Sequence, residues 1–351
     1  MRVLHGMTEV AGQGSYSVRG LRENGVDARM AVWRPNPFGY DYDYNLNIGK
    51  CKWLYPYYAV KMFLFAIYAT CKFECFHFHF GWSLLPGAMD LKILKIMKKR
   101  VFMEFHGSDI RWSFNREKYD GLPLPPVNKK RQKKIKKILK YVDGVILHDE
   151  ELRKHLPDIE VPVYIVPLRV NVKDIEPSYP EKAVQKPVIV HAPSKRGNKG
   201  TQYVLETLDN IKEDFEFILV ENKSHEEAVE IYKKADIIID QLLAGTYGVF
   251  SIEAMALGKP VLTYIDEEMI KTFPEDIPII SSSRYSLKDN LEEMILDADK
   301  RNEVGYEGRQ YVREYHDYQK NALVLEKIYK GECPELKGPA AFSYIDTLSI
   351  D

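Results

Sequence analysis

At 351 residues the chain is long for one domain and suits two, and an apolar content of 45% provides for a sizeable core. A formal net charge of −1 argues against a generally basic nucleic-acid binder. Cys51, Cys71, Cys75 and Cys333 are few and irregularly spaced, form no paired metal knuckle, and read as reduced thiols of a cytoplasmic protein in which no metal site is expected.

Met1–His5 is too short for a leader and runs directly into Gly6 and Glu9, so no signal peptide is expected. Arg2 to His5 reads as a first strand, followed by a loop carrying Gly12 and Gly14, a helix with apolar Val18 and Leu21 that stops at Gly25, and a second strand from Asp27 to Trp33. This β–glycine loop–α–β opening points to a doubly wound sheet. Residues 34–56, rich in proline and tyrosine, read as a loop. Asp41 and Asp43 lie in it and read as solvated rather than as a metal clamp, while its tyrosines suit an acceptor groove. Residues 57–73 are apolar and aromatic but interrupted by Lys61. The unbroken part is about half of what a bilayer span needs, so a buried or surface-docked helix is expected.

Cys75 to Phe80 alternates Phe and His, as a strand with two different faces would. Residues 88–98 look helical. Val101 to Phe105 is a further strand that runs into His106-Gly107-Ser108-Asp109, at the end of a strand where open α/β sheets keep ligand contacts. Eight of the twelve residues of 129–140 are basic, and Ile135, Ile138, Leu139 and Val142 form one apolar face. This is a solvated helix packed on a sheet or a helix that meets an anionic membrane surface. Without interleaved aromatics it does not suit nucleic acid. A strand at 144–148, a short helix at 150–156 and a strand at 163–167 close the first half, and residues 171–187 read as the linker.

The pattern then restarts. Pro187 to Ala192 is a strand, and Pro193-Ser-Lys-Arg196-Gly-Asn-Lys199-Gly200 is a basic glycine loop that opens a helix near Thr201. Phe215 to Val220 is a strand, and Ser224 with Glu227 forms a capping box for the next helix. Ile237 to Ile239 is a buried strand, followed by a loop with Gly245 and Gly248, a helix from Ser251 to Leu257 stopped by Gly258 and Pro260, and a strand from Val261 to Ile265. The unpaired N–H groups at such a helix start suit a phosphate. A strand at 277–280, helical residues 286–315 and a last helix at 317–330 follow, with no assignment after Glu332.

The stretch 236–263 resembles the nucleotide-sugar site of retaining glycosyltransferases of the GT-B fold, family four. Tyr247-Gly248 stands for that pattern's Phe-Gly, and Glu253-Ala-Met-Ala-Leu-Gly-Lys-Pro-Val261 matches closely. Gly245 occupies the position of the pattern's first Glu, which normally holds the donor sugar's hydroxyls. Asp240, five residues earlier, is a weak substitute. The resemblance implies two Rossmann-like doubly wound domains facing a cleft, at 1–172 on the acceptor side and 173–316 on the nucleotide-sugar side. A crossover helix at 317–331 would return to the first domain, leaving a tail at 332–351. It implies metal-independent transfer with retention, from a nucleotide-diphosphate sugar to a glycan or lipid-linked acceptor, in cell-surface polysaccharide assembly.

No cofactor beyond the sugar donor is implied. Catalytic roles fall to Arg196, Lys199 and His106. Lys199-Gly200 matches the family's Lys-Gly, but Ser194 stands where its Arg belongs, so Arg196, or as the weaker alternative Lys195, must reach instead. Donor binding falls to Gly12, Gly14, Tyr247, Gly248, Val249, Phe250 and Glu253, with Glu253 on the ribose. A catalytically silent GT-B binding protein and a GT-B sugar-nucleotide epimerase are the alternatives. The expected location is the cytoplasm, with the inner membrane face as the alternative setting of the 129–140 helix.

Overall fold

The computed structural model describes residues 1–36, 38–115, 124–182, 186–275 and 277–348. The chain forms two compact α/β units. The first comprises residues 1–116, 125–169 and 318–351. Its elements to residue 169 are β1 (Arg2–Met7), α1 (Gln13–Glu23), β2 (Asp27–Val32), β3 (Tyr44–Asn45), α2 (Tyr55–Lys72), β4 (Cys75–His79), α3 (Leu91–Ile96), β5 (Arg100–Glu104), α4 (Lys129–Leu139), β6 (Gly144–Leu147), α5 (Glu150–Arg153) and β7 (Val163–Ile165). They build a seven-stranded parallel sheet in the order β3-β2-β1-β4-β5-β6-β7. The inner strands β1, β4 and β5 are buried on both faces, which is why they read as near-continuous apolar runs broken by histidines and, in β5, by Glu104.

The second unit holds β8 (Val188–His191), α6 (Arg196–Lys199), α7 (Thr201–Leu208), β9 (Glu216–Leu219), α8 (His225–Lys234), β10 (Ile237–Ile239), α9 (Val249–Ala256), β11 (Val261–Thr263), α10 (Glu267–Ile270), β12 (Ile280–Ser281), α11 (Leu287–Leu296) and α12 (Ala298–Tyr315). Its five-stranded sheet is also parallel, in the order β12-β11-β10-β8-β9. The capping box is formed: Ser224 Oγ accepts from Glu227 N, and Glu227 Oε2 accepts from Ser224 N at 2.9 Å.

After α12 the chain rejoins the first unit with α13 (Tyr318–Lys330) and α14 (Pro339–Asp346). Helix α13 buries Ala322, Leu325, Ile328 and Tyr329 in one cluster with Val18, Leu21 and Val26 around α1. Each fully buried large apolar side chain contributes about 1.5–3 kcal/mol, so this seam stabilises the return of the chain substantially.

Several elements differ from the sequence reading. The 34–56 loop contains β3, whose two residues are too few for a periodicity to register. Helix α2 starts at Tyr55 with Pro56 in its first turn. It buries only Tyr58, Ala66 and Ala69, and turns Tyr57, Val60, Phe63, Leu64 and Ile67 outward. Helix α3 is shorter than 88–98 because Ala88 and Lys98 take positive φ, 55° each, at its two sides. The strand at 277–280 is reduced to Ile280–Ser281. The helical stretch 286–315 is broken at Asp297, whose carboxylate caps α12 by accepting from Lys300 N at 2.9 Å. The tail carries α14, held by buried Ala341, Phe342 and Ile345.

Candidate functional site

In the second unit, two loops after parallel strands are tied by one acid. β10 ends at Ile239, and Asp240 follows it, 1% exposed. Lys199 Nζ donates to Asp240 Oδ1 at 2.5 Å, and Ser251 Oγ donates to Oδ2 at 2.6 Å. Asp240 therefore joins the basic loop to the first turn of α9, a role that spacing alone did not suggest. Gly248 is the N-cap of α9 and, having no side chain, leaves that end without a cap of its own. Val249, Phe250 and Glu253 are half-buried along its first turns. The Phe250 ring lies 4.9 Å from that of Tyr232. Burial raises the Glu253 carboxyl to about 7, and its Oε1 lies 3.8 Å from His225 Nε2.

Arg196 and Tyr247 are engaged elsewhere. The exposed Arg196 guanidinium makes a bidentate pair with Glu221, at 2.8 and 2.5 Å. Tyr247 is buried, its hydroxyl 2.9 Å from that of Tyr311 and 3.1 Å from His316 Nε2. Gly245 has φ of 68°, and a Cβ there would stand 3.2 Å from Cβ of Asp266. A Glu at 245 would thus be strained and crowded. Asp266 lines a cavity of about 380 Å³ with Leu242, Tyr264, Ser283, Arg284 and Tyr285. The loop before Gly248 is clamped by Gln241. Its Oε1 accepts from Leu243 N at 2.9 Å and Ala244 N at 2.5 Å, and its amide donates to Tyr264 O at 3.0 Å.

In the first unit the glycine loop is closed by the chain itself. Gly12 is the N-cap of α1, and a Cβ on Gly14 would stand 2.8 Å from Met30 Cε and 2.9 Å from Glu9 Oε2. Glu9 Oε2 accepts from Ser15 N at 2.8 Å, so a carboxylate already takes the place an anion would take at this helix start. Burial raises Glu9 to about 7. Gln13 accepts from Arg169 N at 2.8 Å and donates to Arg169 O at 3.0 Å. Asp43 pairs with Arg22 and accepts from Met30 N at 2.8 Å.

His106 is part of a larger polar cluster at the strand ends. Strand register sets His5 beside His77 and His79 beside Glu104. Glu104 Oε2 lies 2.9 Å from His77 Nε2 and 3.5 Å from His79 Nδ1, and Arg169 Nη2 donates to Oε1. Tyr329 OH is 2.5 Å from His77 Nδ1 and 3.1 Å from His5 Nε2. His5 Nδ1 is 3.1 Å from His79 Nε2, and His79 Nδ1 is 3.2 Å from His106 Nε2. His106 Nδ1 is 2.9 Å from His148 Nε2, whose ring closes back on Glu104 Oε1 at 3.5 Å. Burial opposes ionisation of Glu104, but Arg169 and the His77 hydrogen bond overcome it and hold the carboxyl well below its usual range. Burial holds His5, His79 and His106 well below the ordinary imidazole value and His148 at about 4, so these imidazoles are neutral. Both ring nitrogens of His106 are engaged within this cluster.

The comparisons fit the geometry. A family model described as "Glycosyl transferase-like" matches residues 205–327, most of the second unit and part of α13. No curated protein matches the sequence. Among solved structures, sucrose-phosphate synthase from Thermosynechococcus elongatus superposes with a TM-score of 0.69 at 15% identity, covering 94% of this chain and 98% of that one. The fold is GT-B. HepE from Anabaena, solved with UDP and glucose, shares this GT-B architecture with a TM-score of 0.65 at 11% identity, over 94% of this chain and 100% of that one. The lipopolysaccharide outer core galactosyltransferase WaaB shares it with a TM-score of 0.57 at 13% identity, over 93% and 100%. Among the described residues of this GT-B chain, no helix is long and apolar enough to cross a membrane.

Proposed function

We propose that the chain is a glycosyltransferase that moves a sugar from a nucleoside-diphosphate sugar to a glycan or lipid-linked acceptor, with retention. The observation that carries this reading is the Lys199–Asp240–Ser251 tie. It sets a cation beside an uncapped helix start, and α9 with Ser251 lies within the segment matched by the glycosyltransferase model. The chemistry follows from charge. The departing diphosphate gathers negative charge in the transition state, and a fixed cation with helix N–H groups stabilises it without a metal at that position. Lys199 uses one of its three N–H donors on Asp240, which leaves two for phosphate oxygens. Arg196 joins it by exchanging Glu221 for phosphate. Glu253 accepts from the ribose hydroxyls, and Asp266, next to Gly245, takes the donor-sugar contact of the pattern's missing Glu.

The test is release of nucleoside diphosphate from a panel of sugar nucleotides, uridine forms first, with and without saccharide and lipid-linked acceptors. Acceptor-dependent release supports transfer. Binding without release favours a silent binding protein, and interconversion of the sugar without release favours an epimerase.

The acceptor side of this reading includes an anionic membrane surface. Helix α4 buries Ile135, Ile138 and Leu139 and exposes Lys129, Lys130, Lys133, Lys136 and Lys140. Each lysine near an anionic bilayer contributes about 1 kcal/mol, and salt screens it. The protein should therefore sediment with anionic vesicles at low salt and be released at high salt. Reversal of Lys133, Lys136, Lys137 and Lys140 to Glu should abolish sedimentation while turnover of a soluble acceptor persists. Wild-type protein left in the supernatant at low salt would remove the membrane role.

A further inference from the structure

The histidine cluster of the first unit forms a ring of polar contacts around one carboxylate. Starting at Glu104 Oε2, the ring runs through His77, Tyr329, His5, His79, His106 and His148 back to Glu104 Oε1, seven contacts of 2.5 to 3.5 Å. The His148 contact with Glu104, at 3.5 Å, is a contact at ion-pair range rather than a hydrogen bond.

His79 Nδ1 and His106 Nε2 face each other at 3.2 Å, and Glu104 Oε2 stands 3.5 Å from the same His79 nitrogen. One ligand-type atom from each of His79, His106 and Glu104 lies within 4.8 Å of the others. Two ring nitrogens and a carboxylate oxygen thus converge on one point.

We propose that this point is a binding site for a divalent transition-metal ion of the zinc type, held by His79 Nδ1, His106 Nε2 and Glu104 Oε2. Two of the separations, 3.2 and 3.5 Å, lie near the spacing of about 3.3 Å that a tetrahedral ion with ligands at about 2.0–2.1 Å sets between them, and all three ligand atoms lie within 4.8 Å of one another. Each ligand's other polar atom is already anchored, His79 Nε2 by His5, His106 Nδ1 by His148 and Glu104 Oε1 by Arg169. Such outer contacts orient metal ligands and fix their tautomers. Two imidazoles and one carboxylate select zinc-class ions over calcium or magnesium. His106 is half-buried where the others are buried, which gives the ion its way in. The ion would pin β4 to the segment after β5. It is separate from the diphosphate chemistry of the second unit.

The test uses the full chain, free of any tag and stripped with chelator, titrated with Co²⁺ and then Zn²⁺. One equivalent of Co²⁺ should produce visible d–d bands that one equivalent of Zn²⁺ abolishes. Zinc at about 100 times its dissociation constant should raise Tm by about 5 °C or more. His79→Ala and His106→Gln should each lose the bands and the Tm shift, while Cys71→Ser keeps both. If His79→Ala does not fold, the half-buried His106→Gln, checked by circular dichroism, decides alone. Absence of a stoichiometric cobalt band in the wild type would overturn the proposal and leave a shared proton at the contact. A band that persists in His106→Gln would overturn it equally.

Discussion

The two units share a parallel α/β plan and differ in what occupies the ends of their strands. In the first, Glu9 fills the start of α1, and a histidine ring joins the ends of β1, β4, β5 and β6. In the second, Lys199 is tied to the first turn of α9 through Asp240 and Ser251, and Arg196 pairs with Glu221. A helix start that follows a parallel strand is thus filled by a carboxylate in one unit and tied to a lysine in the other. Helix starts attract anions only when their N–H groups are not already taken. Under the proposed function, nucleotide binding falls to the second unit and the acceptor to the first.

The contrast can be broken most forcefully at Arg169. Replacing it with Met strands the buried Glu104 charge, and losing one partner of a buried pair costs about 3–5 kcal/mol. Urea unfolding should show that loss. A change below about 1 kcal/mol would mean the first unit's polar filling is not what holds its strand ends. Lys199→Ala should lower turnover on the order of 10²-fold, the scale for one transition-state charge partner, with the fold kept. Arg196→Ala should lower it as well, by less, because that side chain is exposed. Full activity in both variants would place the diphosphate elsewhere. Glu253→Ala should weaken nucleoside-diphosphate binding by about 1.5–3 kcal/mol, the contribution of a hydrogen bond to an ionised group, as read by calorimetry.

The smallest effect is in pH. Glu9 and Glu253 are both raised by burial to about 7. Their folded forms bind protons more tightly than the unfolded chain does, so each contributes stability that is full below the unfolded value of about 4.5 and lost as pH rises through about 7. Glu253→Gln should flatten part of that slope. For binding the sign reverses: an ionised Glu253 accepts from ribose, so affinity for a sugar nucleotide should rise between about pH 6 and 8 and cease to do so in Glu253→Gln.

Local signals were legible in the sequence and register-dependent ones were not. The capping box at Ser224 and Glu227, the buried run at Ile237 to Ile239 and the glycine stop after α9 are each set by neighbours a few residues apart. The alternation at Cys75 to Phe80 announced a strand, but the meeting of His79 with Glu104 and His106 depends on the pairing of β4 with β5, which alternation alone cannot specify. The Gln241–Tyr264 contact and the Lys199–Asp240 pair were hidden for the same reason, since both join loops that follow different strands. Helix α14 left no signal because proline and charged residues precede it and its apolar face is short.

The measurement that tests the central claim most directly is amide hydrogen exchange with and without a saturating nucleoside diphosphate, offering uridine, guanosine and adenosine forms in turn. Binding at an open helix start protects its N–H groups, whereas a start already filled by a carboxylate does not respond. The account predicts new protection at residues 194–200 and 248–253 of the second unit and none at residues 12–16 of the first. Protection centred on residues 12–16, with 248–253 unchanged, would contradict it.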